Sequence, residues 1–254
     1  MSSSVFTIAR FSLIEAIRGK IIWIMASLLI LSILLSLFIG QTALTETRES
    51  QVALMAGFLR LSSVMVIIFF VVSSVARDFQ DKSIELLFAI AIPRYQVFIG
   101  KFIGFSLLAL VVSVLFSMAL FFYAEPLVTI IWSLSLWSEL SLVALLSLVF
   151  IFSLENVSIS LLMSFGVYSL MRLMPAIQSM GDGPFQDSVF NQLMNKVLDF
   201  IDLLLPRLDN FTQSGWLVTG DVSSISIINF LTEFILFVIF FVLVGVIDLK
   251  RKAI

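Results

Sequence analysis

Three ionisable side chains, Arg60, Glu139 and Glu233, stand inside long apolar runs, and a second set crowds one short charged interval. That interval, ARDFQDKSIELLFAIAIPRYQVFIGK over residues 76–101, holds Arg77, Asp78, Asp81, Lys82, Glu85, Arg94 and Lys101. The two placements imply different chemistry. A charge at membrane depth is costly unless paired or wetted, so Arg60 can pair with Glu139 or Glu233 as part of an outer gate or pathway lining. It can equally form a fixed ion pair or snorkel to the interface with no transport role. Charges between two apolar runs form either a solvated loop or a docking surface for another protein. The chain has neither cysteine nor histidine. That excludes disulfides, thiolate or imidazole metal sites, and catalysis by a His base or a Cys nucleophile, and no catalytic set is assigned.

The elements that must position these residues are membrane helices. Of 254 residues, 60% are hydrophobic and 13% charged, with a mean hydropathy of +1.14, outside the usual range of soluble domains. Several runs approach or exceed the roughly 20 residues that cross about 30 Å of hydrocarbon, and none shows the alternation of a transmembrane barrel. The expected fold is all-α: one polytopic transmembrane domain over residues 1–254, with an interfacial helix at 4–19 and six spans. The spans are expected at about 21–40, 54–75, 102–124, 134–154, 157–174 and 227–247. The first is a retained span, too long for a signal-peptide core and without a following Ala-x-Ala site. A single helix over 127–174 would be about 70 Å long, twice the bilayer, so the chain must fold back, at LENVS, residues 154–158.

Lysine and arginine set the orientation. Arg10, Arg18, Lys20, Arg77, Lys82, Arg94, Lys101, Lys250, Arg251 and Lys252 fall on one side, against Arg48, Arg60, Arg172, Lys196 and Arg207 on the other. The richer side is the cytosol, so both termini are expected there, with 78–94 cytosolic and 175–226 an extracytoplasmic loop. Within 78–94, Phe79, Ile84, Leu86 and Leu87 can bury one helical face while Asp78, Asp81, Lys82 and Glu85 turn outward, and Pro93 closes the helix. In the outer loop, residues 187–206 carry Phe190, Leu193, Met194, Val197, Leu198, Ile201 and Leu204 on one face, which predicts an amphipathic helix. Gly100 and Gly104, followed by Ser113 and Ser117, form a small-residue stripe against which a helix of the same chain or of a second subunit can pack closely.

The stretch from Asp78 to Gly104 resembles the signature between the second and third spans of type-2 ABC transporter permeases. That signature has an acidic residue near the inner end of the second span, then Thr/Ser-x-x-Leu-Leu, a Pro-x-x-Arg element, and Gly-Lys opening the third span. The matching positions are Asp78, Ser83, Leu86 and Leu87, Arg94, and Gly100 with Lys101; Ala91 stands where the family has its proline, and Pro93 comes two residues later. LLLPRLDNFTQSGWLVTG, residues 203–220, is similar to the stretch before the last span in that family, and the six-span plan agrees over the whole chain.

The resemblance implies the membrane subunit of an exporter. Two protomers would enclose the pathway, each docking a cytosolic ATPase through Asp78, Asp81, Lys82, Glu85, Pro93 and Arg94. ATP and magnesium would bind the partner ATPase, and no cofactor this chain. Consistent with that, Gly100-Lys101 lacks the earlier glycine of a phosphate-binding loop, Tyr95 standing in its place. The expected partners are the ATPase, a second permease protomer and the lipid bilayer, with no nucleic acid. The expected location is the plasma membrane, as a bacterial inner-membrane protein. A non-transporting scaffold or sensor and an ion-coupled secondary transporter are the competing readings, the latter disfavoured by the absence of an inverted repeat and of a midplane acid pair.

Overall fold

The computed structural model describes residues 2–42, 47–81, 93–181, 206, 208, 216–219 and 224–251. The described elements are helical throughout: α1 (Ser2–Arg18), α2 (Ile21–Thr42), α3 (Thr47–Gln80), α4 (Arg94–Leu120), α5 (Pro126–Leu154), α6 (Val157–Gly181), α7 (Trp216–Thr219) and α8 (Ser224–Arg251). Six of them, α2 to α6 and α8, are long and apolar enough to cross a membrane, and they coincide with the six expected spans. The protein is a polytopic helical membrane protein.

α5 is the axis of the bundle. It packs against α3, α4, α6 and α8, and every residue from 138 to 148 is buried. α5 is apolar on all sides, which suits either lipid or protein as surroundings, and here four neighbouring helices supply them. The chain reverses where the length argument required. α5 ends at Leu154, Glu155 adopts the left-handed conformation at φ 53°, and α6 begins at Val157. The Asn156 side chain accepts the Ile159 N–H at 3.2 Å, and the Ser160 hydroxyl donates across the turn to the Phe150 carbonyl at 3.2 Å. Both bonds satisfy groups that a helix end leaves open.

Two expectations are corrected. Hydropathy marks the edge of hydrocarbon, whereas helices continue as long as their backbone bonds do. α3 therefore starts at Thr47 and runs to Gln80, α4 spans Arg94–Leu120, and α5 starts at Pro126, whose missing N–H costs nothing in a first turn. Consequently Asp78 belongs to the last turn of α3, not to a separate helix, and Pro93 immediately precedes α4 with φ −65° and ψ 137°. The face of α1 that carries Ala9, Ser12 and Ala16 is buried against α4, while Phe6, Phe11 and Ile17 are exposed. A Cβ at Gly104 would stand 2.7 Å from Ser12 Cβ and 2.8 Å from the Ala9 carbonyl oxygen, and one at Gly100 would stand 2.9 Å from Ile8 Cβ. The Gly100/Gly104 stripe is thus an intrachain seat for α1, close enough that only glycine fits.

Candidate functional site

Arg60 and Glu139 meet in the core, and side chains of α5 and of one further helix, α6, close around them. Arg60 Nη1 donates to Glu139 Oε2 at 2.8 Å and Nη2 to Ser135 Oγ at 3.2 Å, while the guanidinium carbon lies 5.3 Å from the Trp132 ring centroid. The Tyr168 hydroxyl donates to Glu139 Oε1 at 3.0 Å, and Arg172 Nη1 reaches the same oxygen at 3.9 Å. Side-chain exposure is 1% for Arg60 and 0% for Glu139. At such burial a lone charge would be several kcal/mol unfavourable, so the neighbours offset the desolvation with charge-assisted bonds.

Three helices bring the members of the cluster to one level. Arg60 is 13 residues from the outer end of α3 at Thr47, Glu139 is 13 from the outer end of α5 at Pro126, and Tyr168 is 13 from the outer end of α6 at Gly181. At 1.5 Å per residue all three sit about 20 Å below those ends, level with one another. Neither Arg60 nor Glu139 snorkels, and neither presents surface to lipid or to a pathway in this conformation. Their position is that of a clamp joining α3, α5 and α6. Glu233, on α8, is half-buried, one residue before Phe234, whose ring meets Trp137 at 5.5 Å in a tilted contact. Among the described residues no group of three or more Asp or Glu could hold a metal ion.

The second candidate region lies at the inner ends of α3 and α4. Lys101, on α4, forms an ion pair with Asp78 on α3, and its ammonium lies 5.9 Å from the Phe105 ring centroid. Glu15 of α1 accepts Ser74 Oγ at 2.8 Å and Arg77 Nη2 at 3.2 Å, so α1 is tied to the same level of α3. Just behind these pairs, Phe152 of α5 meets Phe79 of α3 at 5.5 Å and Phe98 of α4 at 5.7 Å, both edge-on. A Cβ at Gly245 of α8 would stand 2.5 Å from the Phe98 ring, so α8 closes on the same aromatic group. Asp81 is exposed at the end of α3, its N–H bonded to the Arg77 carbonyl at 2.8 Å.

The structure thus brings together Arg60 with Glu139, Asp78 with Lys101, and Gly100 with Gly104 against α1. Lys82 and Glu85 lie outside the described residues, as does nearly all of the outer segment 187–206, and Arg94 is described only as the first residue of α4. Sequence reasoning missed Tyr168, Ser135 and Trp132 as members of the buried cluster. Their spacing held the signal: Ser135 and Trp132 precede Glu139 by four and seven residues, and Tyr168 precedes Arg172 by four, so each set shares a helix face. No protein-family model and no curated protein matches the chain.

Proposed function

We infer that the chain is the membrane-spanning subunit of an ATP-binding cassette exporter, working as a dimer with separate cytosolic ATPase subunits in a plasma membrane, the bacterial inner membrane. The observation that carries this reading is the build of the inner root. Asp78–Lys101 ties the helix entering the charged interval to the helix leaving it, Glu15 ties the first of them to α1, and α1 packs along the second. A segment that receives a push from a partner protein transmits it only when its two roots cannot move apart. Behind the roots, Phe79, Phe98 and Phe152 with Gly245 extend the connection to α5 and α8. Displacing the interval therefore moves α3, α4, α5 and α8 together, and the close-packed contacts carry the motion without slack.

The share of the work done by this chain is mechanical. ATP and magnesium bind the partner, and the chain docks the partner through Asp78, Asp81, Lys82, Glu85, Pro93 and Arg94. α2, α6 and α8 keep broad apolar faces exposed, available to lipid, to a second protomer or to cargo between two copies. The test is co-purification in detergent with the ATPase encoded nearest to the chain. Wild type is expected to retain the ATPase, and Glu85→Arg or Asp81→Lys to lose it, since charge reversal on an interface weakens binding far more than on a solvated loop. Wild type that assembles with no ATPase removes the energy source and overturns the reading.

One observation favours a second reading, an ion-coupled transporter: a carboxylate, a guanidinium and a phenol meet about 20 Å below the outer helix ends. Transport driven by a proton or sodium gradient in vesicles lacking any ATPase would select it.

A further inference from the structure

Among the described residues, one member of the cluster reaches the surface. Arg172 approaches Glu139 Oε1 at 3.9 Å with its side chain 38% exposed, whereas the other members of the cluster are buried. Glu139 therefore serves two guanidiniums with one carboxylate, and Tyr168, which donates its proton, adds no charge. Arg60, Glu139 and Arg172 together carry one cation more than anion. The better-held cation is Arg60; Arg172 sits at the limit of ion pairing, free to turn toward a stronger anion.

What lies beside Arg172 is apolar. Leu162, Gly166, Ser169 and Leu173 follow one another at helical spacing along the exposed face of α6, with Arg172 at its margin. Gly166 makes a notch in that face: a Cβ there would meet nothing within 4 Å, so no packing inside the protomer calls for glycine. From Arg172 to Leu162 the face runs about 15 Å toward the inner side, the length of a medium acyl chain.

We propose that Arg172 and the adjoining face of α6 bind an anionic amphiphile, its phosphate or carboxylate head on the Arg172 guanidinium and its hydrocarbon chain along Gly166 to Leu162. A cationic or neutral head leaves the surplus guanidinium uncompensated, and a small soluble anion leaves the aliphatic face uncovered. Binding draws Arg172 off Glu139, which links the surface site to the clamp between α3, α5 and α6. That such a molecule is cargo rests on the exporter reading above; that it binds does not.

The test is native mass spectrometry of the purified chain in a neutral maltoside detergent, titrated with dodecyl phosphate, dodecylphosphocholine and inorganic phosphate. Wild type is expected to hold dodecyl phosphate about tenfold more tightly than dodecylphosphocholine, with inorganic phosphate unable to compete. Arg172→Gln should abolish the preference, Arg172→Lys should keep most of it, and Arg251→Gln should leave it intact. Gly166→Leu should weaken both amphiphiles alike. Equal binding of the two amphiphiles by wild type, an unchanged preference in Arg172→Gln, or full competition by inorganic phosphate would each overturn the proposal. Loss of the preference in Arg172→Lys as well, with the melting temperature unchanged, would also count against a charge-directed site. Failure of the exporter reading would show separately, as absence of a bound ATPase, and leaves the binding result standing.

Discussion

Arg60–Glu139 and Glu15–Arg77 join the same two chemical groups, a guanidinium and a carboxylate, at nearly the same separation, 2.8 and 3.2 Å. Their surroundings differ. The first pair has side-chain exposures of 1% and 0%, the second 34% for Glu15 and 56% for Arg77. Water has already solvated the rim pair in every state of the chain, so its formation changes little. The core pair exists only because three helices enclose it, and removing either member strands a charge where no solvent reaches. Asp78–Lys101 lies between these extremes, with Lys101 largely buried and Asp78 partly open. The same interaction thus acts as a fold clamp at one depth, as an anchored root at another, and as a surface contact at a third.

The largest expected effect separates the core from the rim. Arg60→Ala or Glu139→Ala alone should cost about 3–5 kcal/mol, read by steric-trap unfolding in bicelles. The double variant Arg60→Met/Glu139→Leu should cost less than either single change, because no charge is left behind. Singles within about 1 kcal/mol of wild type would dissolve the contrast.

Next come the changes at the inner root. Asp78→Asn removes the carboxylate facing Lys101 and should cost about 1–3 kcal/mol, more than a rim pair and less than the core. Gly104→Val pushes α1 off α4 and should cost about 1–3 kcal/mol by overpacking, whereas Gly57→Ala, whose added Cβ meets nothing within 4 Å, should be neutral or slightly stabilising. A loss of stability at Gly57 equal to that at Gly104 would deny that α1 is seated on the glycines. The smallest effect belongs to Arg77→Gln, about 0.2–1 kcal/mol, and it should vanish in 1 M salt while the core penalties persist.

Much of this architecture can be read from the sequence, and the parts that cannot share a cause. The six spans and the reversal at 154–157 follow from hydrophobic length, because α5 and α6 together would otherwise exceed the bilayer twofold. The helix ends do not follow. Thr47 to Gln51 are polar, yet helix α3 includes them, so the apolar edge falls short of the start of the helix. Helix ends are governed by backbone bonding and by residues such as Pro126, to which hydropathy is blind. The sequence predicts the helix at 4–19 but not what its face of Ala9, Ser12 and Ala16 packs on. Its partner was hidden because lipid and a glycine-lined helix accept the same small side chains, and only the three-dimensional fit to Gly100 and Gly104 decides between them. The pairing of Arg60 with Glu139 was open for the same reason, since two glutamates stood at similar distances from their expected span ends.

The division of labour between core and inner face is tested most directly by measuring folded fraction and bound ATPase in the same preparations of Arg60→Ala and Asp81→Lys. Asp81→Lys, exposed beyond the anchored root, should keep the wild-type folded fraction and lose the ATPase. Arg60→Ala should lose folded protein, with whatever remains folded still binding ATPase in full proportion. If Asp81→Lys binds the ATPase as wild type does, or if the Arg60→Ala population stays folded yet sheds the ATPase, the assignment of clamp and docking root to these two regions is wrong.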